Sequence, residues 1–87
     1  MKEDIEETLE ERGKTYGEWK DQAAITSCIM ETIRDFGGEQ KMGSYQIEAL
    51  HMIASKIARI VNGDSDHIDS WRDIEGYARL VRKELEK

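Results

Sequence analysis

An all-α fold, a compact bundle of about four helices, is what the sequence predicts. Three observations point to it: proline is absent, β-branched runs are scarce, and apolar residues recur at helical spacings between breaks marked by glycine. With 87 residues there is room for one domain. It reads as an acidic terminal helix over residues 1–12 followed by a main bundle over 13–87. A core this small buries only about two-thirds of the surface its unfolded chain exposes, so a homo-oligomer is expected.

The first helix is expected over residues 2–12, with Ile5 and Leu9 on one side and Gly13 at its end. Thr15-Tyr16-Gly17-Glu18 then fits a capping box, in which the threonine accepts from a backbone N–H and the glutamate reaches back. A second helix runs from there to Phe36, where Gly37-Gly38 stops it. At 100° per residue, Trp19, Ala23, Ile29, Met30, Ile33 and Phe36 share its apolar face, with Ile25 at the edge and Thr26 inside the stripe. Cys28 falls on the other side, against a neighbouring helix or subunit or partly exposed. As the single cysteine it makes no intramolecular disulfide and shares no structural zinc, and it reads as chemically inert.

A third, central helix starts with Ser44 as N-cap and runs to Val61, ended by Asn62-Gly63. Ile47, Ala49, Leu50, Ile53, Ala54, Ile57, Ala58, Ile60 and Val61 cover about half of its circumference. Opposite them lies a narrower stripe of Glu48, Met52, Ser55, Lys56 and Arg59. The fourth helix opens with Asp69 or Ser70 as N-cap and reaches Glu84, with Trp71, Ile74, Ala78, Val81 and Leu85 as its core seam. Gly76 stands in the middle of that helix, where glycine costs about 1 kcal/mol relative to alanine. A close approach is expected there, either by a second subunit that also buries Leu80 or by a ligand lying on the glycine.

The net charge of −6 argues against an extended nucleic-acid partner, whose affinity would come from cations displacing counterions from phosphates. Acids crowd both ends of the sequence: Glu3, Asp4, Glu6, Glu7, Glu10 and Glu11 at the start, and Asp64, Asp66, Asp69, Asp73 and Glu75 later. Lys56 and Arg59 are the exception, a local cationic stripe. They either pair with Asp69 or Asp73 across the hairpin or line a pocket. In a pocket they would hold phosphate oxygens, while Trp19, Trp71, Tyr16 or Tyr77 stack on a ring. Glu48 and Asp73 would then be the candidate ligands for Mg²⁺.

Other chemistries lack their signatures: there is no Gly-rich phosphate loop ending in Gly-Lys-Ser/Thr and no His-Glu-x-x-His. Cys28 and His51 have no visible third partner for nucleophilic catalysis, and His67 reads as a loop residue. No apolar run approaches the roughly 20 residues needed to span a bilayer. The acidic opening Met1-Lys2-Glu3-Asp4 is unlike a signal peptide. A cytoplasmic protein without a membrane partner is expected.

Three segments carry a resemblance. Arg12-Gly13-Lys14-Thr15-Tyr16-Gly17-Glu18-Trp19, then Met52-Ile53-Ala54-Ser55-Lys56-Ile57-Ala58-Arg59, then Asp69-Ser70-Trp71-Arg72-Asp73-Ile74-Glu75-Gly76-Tyr77-Ala78 resembles a family of short phage and prophage proteins of unassigned function. The resemblance spans about residues 10–82, and it implies a helical oligomer. It singles out Arg12, Tyr16, Gly17, Lys56, Arg59, Asp69, Trp71, Asp73, Gly76 and Tyr77. More distantly the chain is similar to the all-α nucleotide pyrophosphohydrolases of the MazG type, which implies Mg²⁺-dependent release of pyrophosphate from a nucleoside triphosphate. Those enzymes carry Glu-Glu-x-x-Glu on one helix and Glu-x-x-Asp on the next. Here Glu6-Glu7-Thr8-Leu9-Glu10 matches the first half on the terminal helix, and the second half does not follow at the expected distance.

Three functions are therefore expected as alternatives. The first is binding of a nucleotide or other phosphate-bearing small molecule, sequestering a nucleotide signal in counter-defence. The second is MazG-like Mg²⁺-dependent hydrolysis, with Glu48, Asp69 and Asp73 as metal ligands. The third is a structural or protein-binding helical module.

Overall fold

The computed structural model describes residues 4–87 and contains five helices: α1 (Asp4–Tyr16), α2 (Trp19–Asp35), α3 (Gly38–Lys41), α4 (Ser44–Asn62) and α5 (Ile68–Leu85). No strand occurs among the described residues, so the all-α expectation holds. The expected beginning of the first helix, at residues 2 and 3, lies outside the described residues.

α4 is central because α2 and α5 pack on opposite flanks of it without touching each other. Small side chains allow the close approach: Ala49, Ala54 and Ala58 of α4 are buried, and Met30 of α2 completes the buried apolar set. Lys56 faces Asp73 while Gln46 and Ala49 share a groove with Val81, so α4 and α5 run antiparallel. The start of α2 lies beside the end of α4, so that pair is antiparallel too. The layer is elongated, 51 × 27 × 23 Å, with a radius of gyration of 15.0 Å. A compact chain of this length would give about 12 Å.

Several boundaries differ from expectation. α1 does not stop at Gly13 but continues to Tyr16, and Thr15 is no N-cap. Its hydroxyl donates back to the Glu11 carbonyl at 3.4 Å, while Glu18 precedes α2 without a side-chain cap. Gly17 is the true break. Its φ of +79° is a left-handed conformation that costs residues with a Cβ about 1–2 kcal/mol. α4 begins at Ser44 with Gly43 as the N-cap residue, whose N–H donates to Gln46 Oε1 at 2.8 Å. α5 starts at Ile68, with His67 preceding it rather than Asp69 or Ser70.

The α5 seam is also rotated. Ser70 is buried, and Asp73, Ile74, Tyr77 and Val81 are half-buried, whereas Trp71, Ala78 and Leu85 are exposed. A buried Lys56 ammonium needs a carboxylate, and turning Asp73 inward moves the expected seam aside. On α2, Trp19 is 77% and Phe36 85% exposed. They stand at the two ends of the helix. Cys28 is exposed.

Two turns interlock at one corner of the layer. The Asp64 N–H donates to the Thr15 carbonyl at 2.7 Å. The Asn62 amide donates to the carbonyls of Tyr16 at 3.1 Å and Glu18 at 2.8 Å. A Cβ on Gly17 would strike the Asn62 backbone, and one on Gly63 would strike the backbone of Thr15 and Tyr16.

Gly17→Ala and Gly63→Ala should each destabilise the fold by at least about 2 kcal/mol, read as a drop of roughly 10 °C in melting temperature by circular dichroism. Gly13→Ala, within α1 and with open space around the added methyl, should instead stabilise the helix by about 0.5–1 kcal/mol.

Candidate functional site

The interlocked corner shapes a concavity of about 770 Å³, bounded by α1, the start of α2 and Arg59 of α4. Of the residues expected at a ligand site, Arg12, Tyr16, Gly17, Trp19 and Arg59 all line it. Sequence reasoning missed Lys14, Leu9 and Gln22 on the same wall. Lys14 was legible, since it lies two residues beyond Arg12 inside the quoted segment.

Arg59 is the inner cation of this cavity. Its guanidinium carbon stands 4.6 Å from the centre of the Tyr16 ring, a cation–π contact of about 0.5–1 kcal/mol at an exposed site and more when desolvated. Its Nε is buried and, among the described residues, has no hydrogen-bond partner. Tyr16 is held from the other side. His67 meets its ring edge-on, with centroids 5.5 Å apart at 78°, and the Tyr16 hydroxyl stands 3.5 Å from His67 Nε2. The Asn62 bond to the Tyr16 carbonyl fixes the backbone beneath. Asn62 and His67 thus act on Tyr16 from the turn between α4 and α5; sequence reading took them for a terminator and a loop residue.

Arg12, Lys14 and Trp19 form the exposed rim. Lys14 lies 3.7 Å from Glu11, and both are exposed, so the pair holds the lysine only weakly. Glu10 and Glu18 also border the cavity. Arg12, Lys14 and Arg59 thus gather at one cavity within a chain of net charge −6.

The remaining expected residues do not join this cluster. Lys56, its side chain 10% exposed, pairs with Asp73 at 3.1 Å, which is the internal ion pair that was the alternative to a pocket. Asp69 pairs with Arg72 at 3.4 Å on the surface of α5. Trp71 is exposed and donates its indole N–H to the Ser65 carbonyl at 2.8 Å, bracing the turn before α5. Tyr77 is half-buried further along that helix. Gly76 is exposed, and a methyl there would meet nothing within 4 Å.

The residues present do not fit the Mg²⁺ site expected from the pyrophosphohydrolase resemblance. Asp73 is engaged by Lys56, and Glu48 is exposed two turns earlier on α4, roughly 12 Å of rise from Lys56. Glu6, Glu7 and Glu10 are exposed on α1. Among the described residues no three His, Cys, Asp or Glu side chains gather as a metal site would require.

No family model matches the chain, and no curated protein or solved structure matches it either.

The Lys56–Asp73 pair is expected to be structural. Asp73→Asn should destabilise the fold by about 1–2 kcal/mol, because it strands a nearly buried ammonium while Asp73 itself remains partly solvated. Lys56→Met, which keeps the aliphatic bulk, should lose less. Chemical denaturation of both variants and of the wild type checks this order.

Proposed function

We propose that the chain binds a small molecule carrying both phosphate and an aromatic ring, with a nucleotide as the class that fits, in the cavity at the α1–α2 corner. The observation that carries this reading is Arg59, whose guanidinium lies over the Tyr16 ring in the wall of the concavity that Arg12, Lys14 and Trp19 also line. Arg59 would take phosphate oxygens through charge-assisted hydrogen bonds, with Arg12 and Lys14 adding charge at the rim. Trp19 offers an exposed ring face on which a base can stack. Cleavage is not part of the reading, since among the described residues no three carboxylates gather at the cavity to hold the metal. A protein that holds a nucleotide without cleaving it sequesters it. The phage-family resemblance supplies a setting for that role, a cytoplasmic homo-oligomer that withdraws a nucleotide signal used in host defence.

Titrating the full chain with a panel of linear and cyclic nucleotides by calorimetry, with and without Mg²⁺, tests the proposal. Mass spectrometry of what is recovered after denaturation then distinguishes the products. Intact ligand is expected, with Arg59→Ala weakening binding roughly tenfold to a hundredfold and Arg79→Ala, an exposed arginine on α5, leaving it unchanged. Metal-dependent release of pyrophosphate would replace sequestration by hydrolysis. Absence of binding throughout the panel would leave a structural or protein-binding module.

A further inference from the structure

Packing α2 and α5 on different flanks of α4 leaves two further faces of that helix between them. At 100° per residue one of them carries Glu48 and Arg59, a polar face on which Tyr16 of α1 sits at the Arg59 end. The other carries Leu50, Ile53, Ile57 and Val61, which fall within about 80° of one another. Ile57 is 37% and Val61 68% exposed, although Ala54 and Ala58 on the neighbouring flank are buried. Beside this stripe a shallow groove of about 280 Å³ extends the apolar surface across Ala49 to Ala78 and Val81 of α5.

We propose that a second copy of this chain covers this face, two protomers pairing α4 against α4 through Leu50, Ile53, Ile57 and Val61 about a two-fold axis.

Area supports a copy of this size. A monomeric protein of 10.1 kDa exposes roughly 5,300 Å², whereas this chain exposes 6669 Å². The excess of roughly 1,400 Å² is spread over the whole chain, α1 included, and leaves room for the ~800 Å² per partner that a stable dimer needs. The spacing of 3, 4 and 4 along the stripe is that of a helix–helix seam, and a face that packs on itself satisfies the isologous geometry of a two-fold dimer. Charge points the same way. Two chains of net charge −6 repel unless their contact excludes acids, and Glu48, the only acid on α4, lies on the opposite side of the helix. The Gly76 and Leu80 face expected from sequence is a poorer candidate. Leu80 stands there between Asp69, Asp73 and Lys83 by the same helical stepping, and Gly76 lies among the charged Arg72, Glu75 and Arg79.

Sedimentation equilibrium of the full chain, together with Ile57→Asp and Leu80→Asp, tests this. The wild type and Leu80→Asp should be dimers, and Ile57→Asp should dimerise at least about tenfold more weakly, since it places an unpaired charge in the seam. An uncovered protomer that unfolds would blur the Ile57→Asp result, so the wild type supplies an independent reading. Its melting temperature should rise with protein concentration, as it does when folding is coupled to dimerisation. A monomeric wild type, a melting temperature independent of concentration, or dissociation by Leu80→Asp with Ile57→Asp still dimeric would each overturn the proposal.

Discussion

The crossing of two backbone turns at Gly17 and Gly63 is the constraint on which the rest of this molecule depends. Neither position has room for a Cβ, and the approach is sealed by the Asp64 N–H on the Thr15 carbonyl and by the forked Asn62 amide. Backbone groups that leave water need partners, and these bonds supply them from the opposite turn. One contact therefore sets where α1 ends, how α2 enters, and where α4 stops. It also brings Tyr16, from the end of α1, under Arg59 of α4. The cavity is a consequence of that corner, since its walls are the three helices that the crossing holds together.

Arg59 and Lys56 were indistinguishable in the sequence, two cations three residues apart on one helix. Their surroundings separate them. Lys56 points toward α5 and meets Asp73, so its charge is used inside the fold. Arg59, about 60° round the helix, lies against an aromatic ring from α1 instead. A guanidinium suits that place because its delocalised charge is weakly hydrated and favours the face of an aromatic ring. An ammonium there would be a point charge without the stacking.

The helices were legible because periodicity and glycine breaks report burial directly. α2 ends near Gly37-Gly38, and α4 occupies almost the span that its apolar face foretold. Sequence reading failed where tertiary contacts override local signals. Thr15 fits a capping box locally, yet its carbonyl is committed to Asp64, and the chain remains helical until Gly17. The α5 seam was misread because an apolar pattern takes no account of the Lys56 charge that draws Asp73 inward. The apolar half of α4 was recognised, but nothing in a single sequence says which part of that face is covered by α2 and α5 and which is left open. At the site, Arg12, Tyr16, Gly17, Trp19 and Arg59, named together from the sequence, line one cavity. Their separation from Asp69, Trp71, Asp73 and Tyr77 needed the three-dimensional arrangement.

Hydrogen exchange at the Asp64 amide reads the crossing most directly. Asp64 lies in the connection between α4 and α5, where an unbonded amide exchanges at nearly the rate of an unstructured chain. If the turns interlock, its exchange measured by NMR should be slowed at least about a hundredfold and should match the neighbouring amides of α4. Exchange at the unstructured rate, with α4 still protected, would contradict the account.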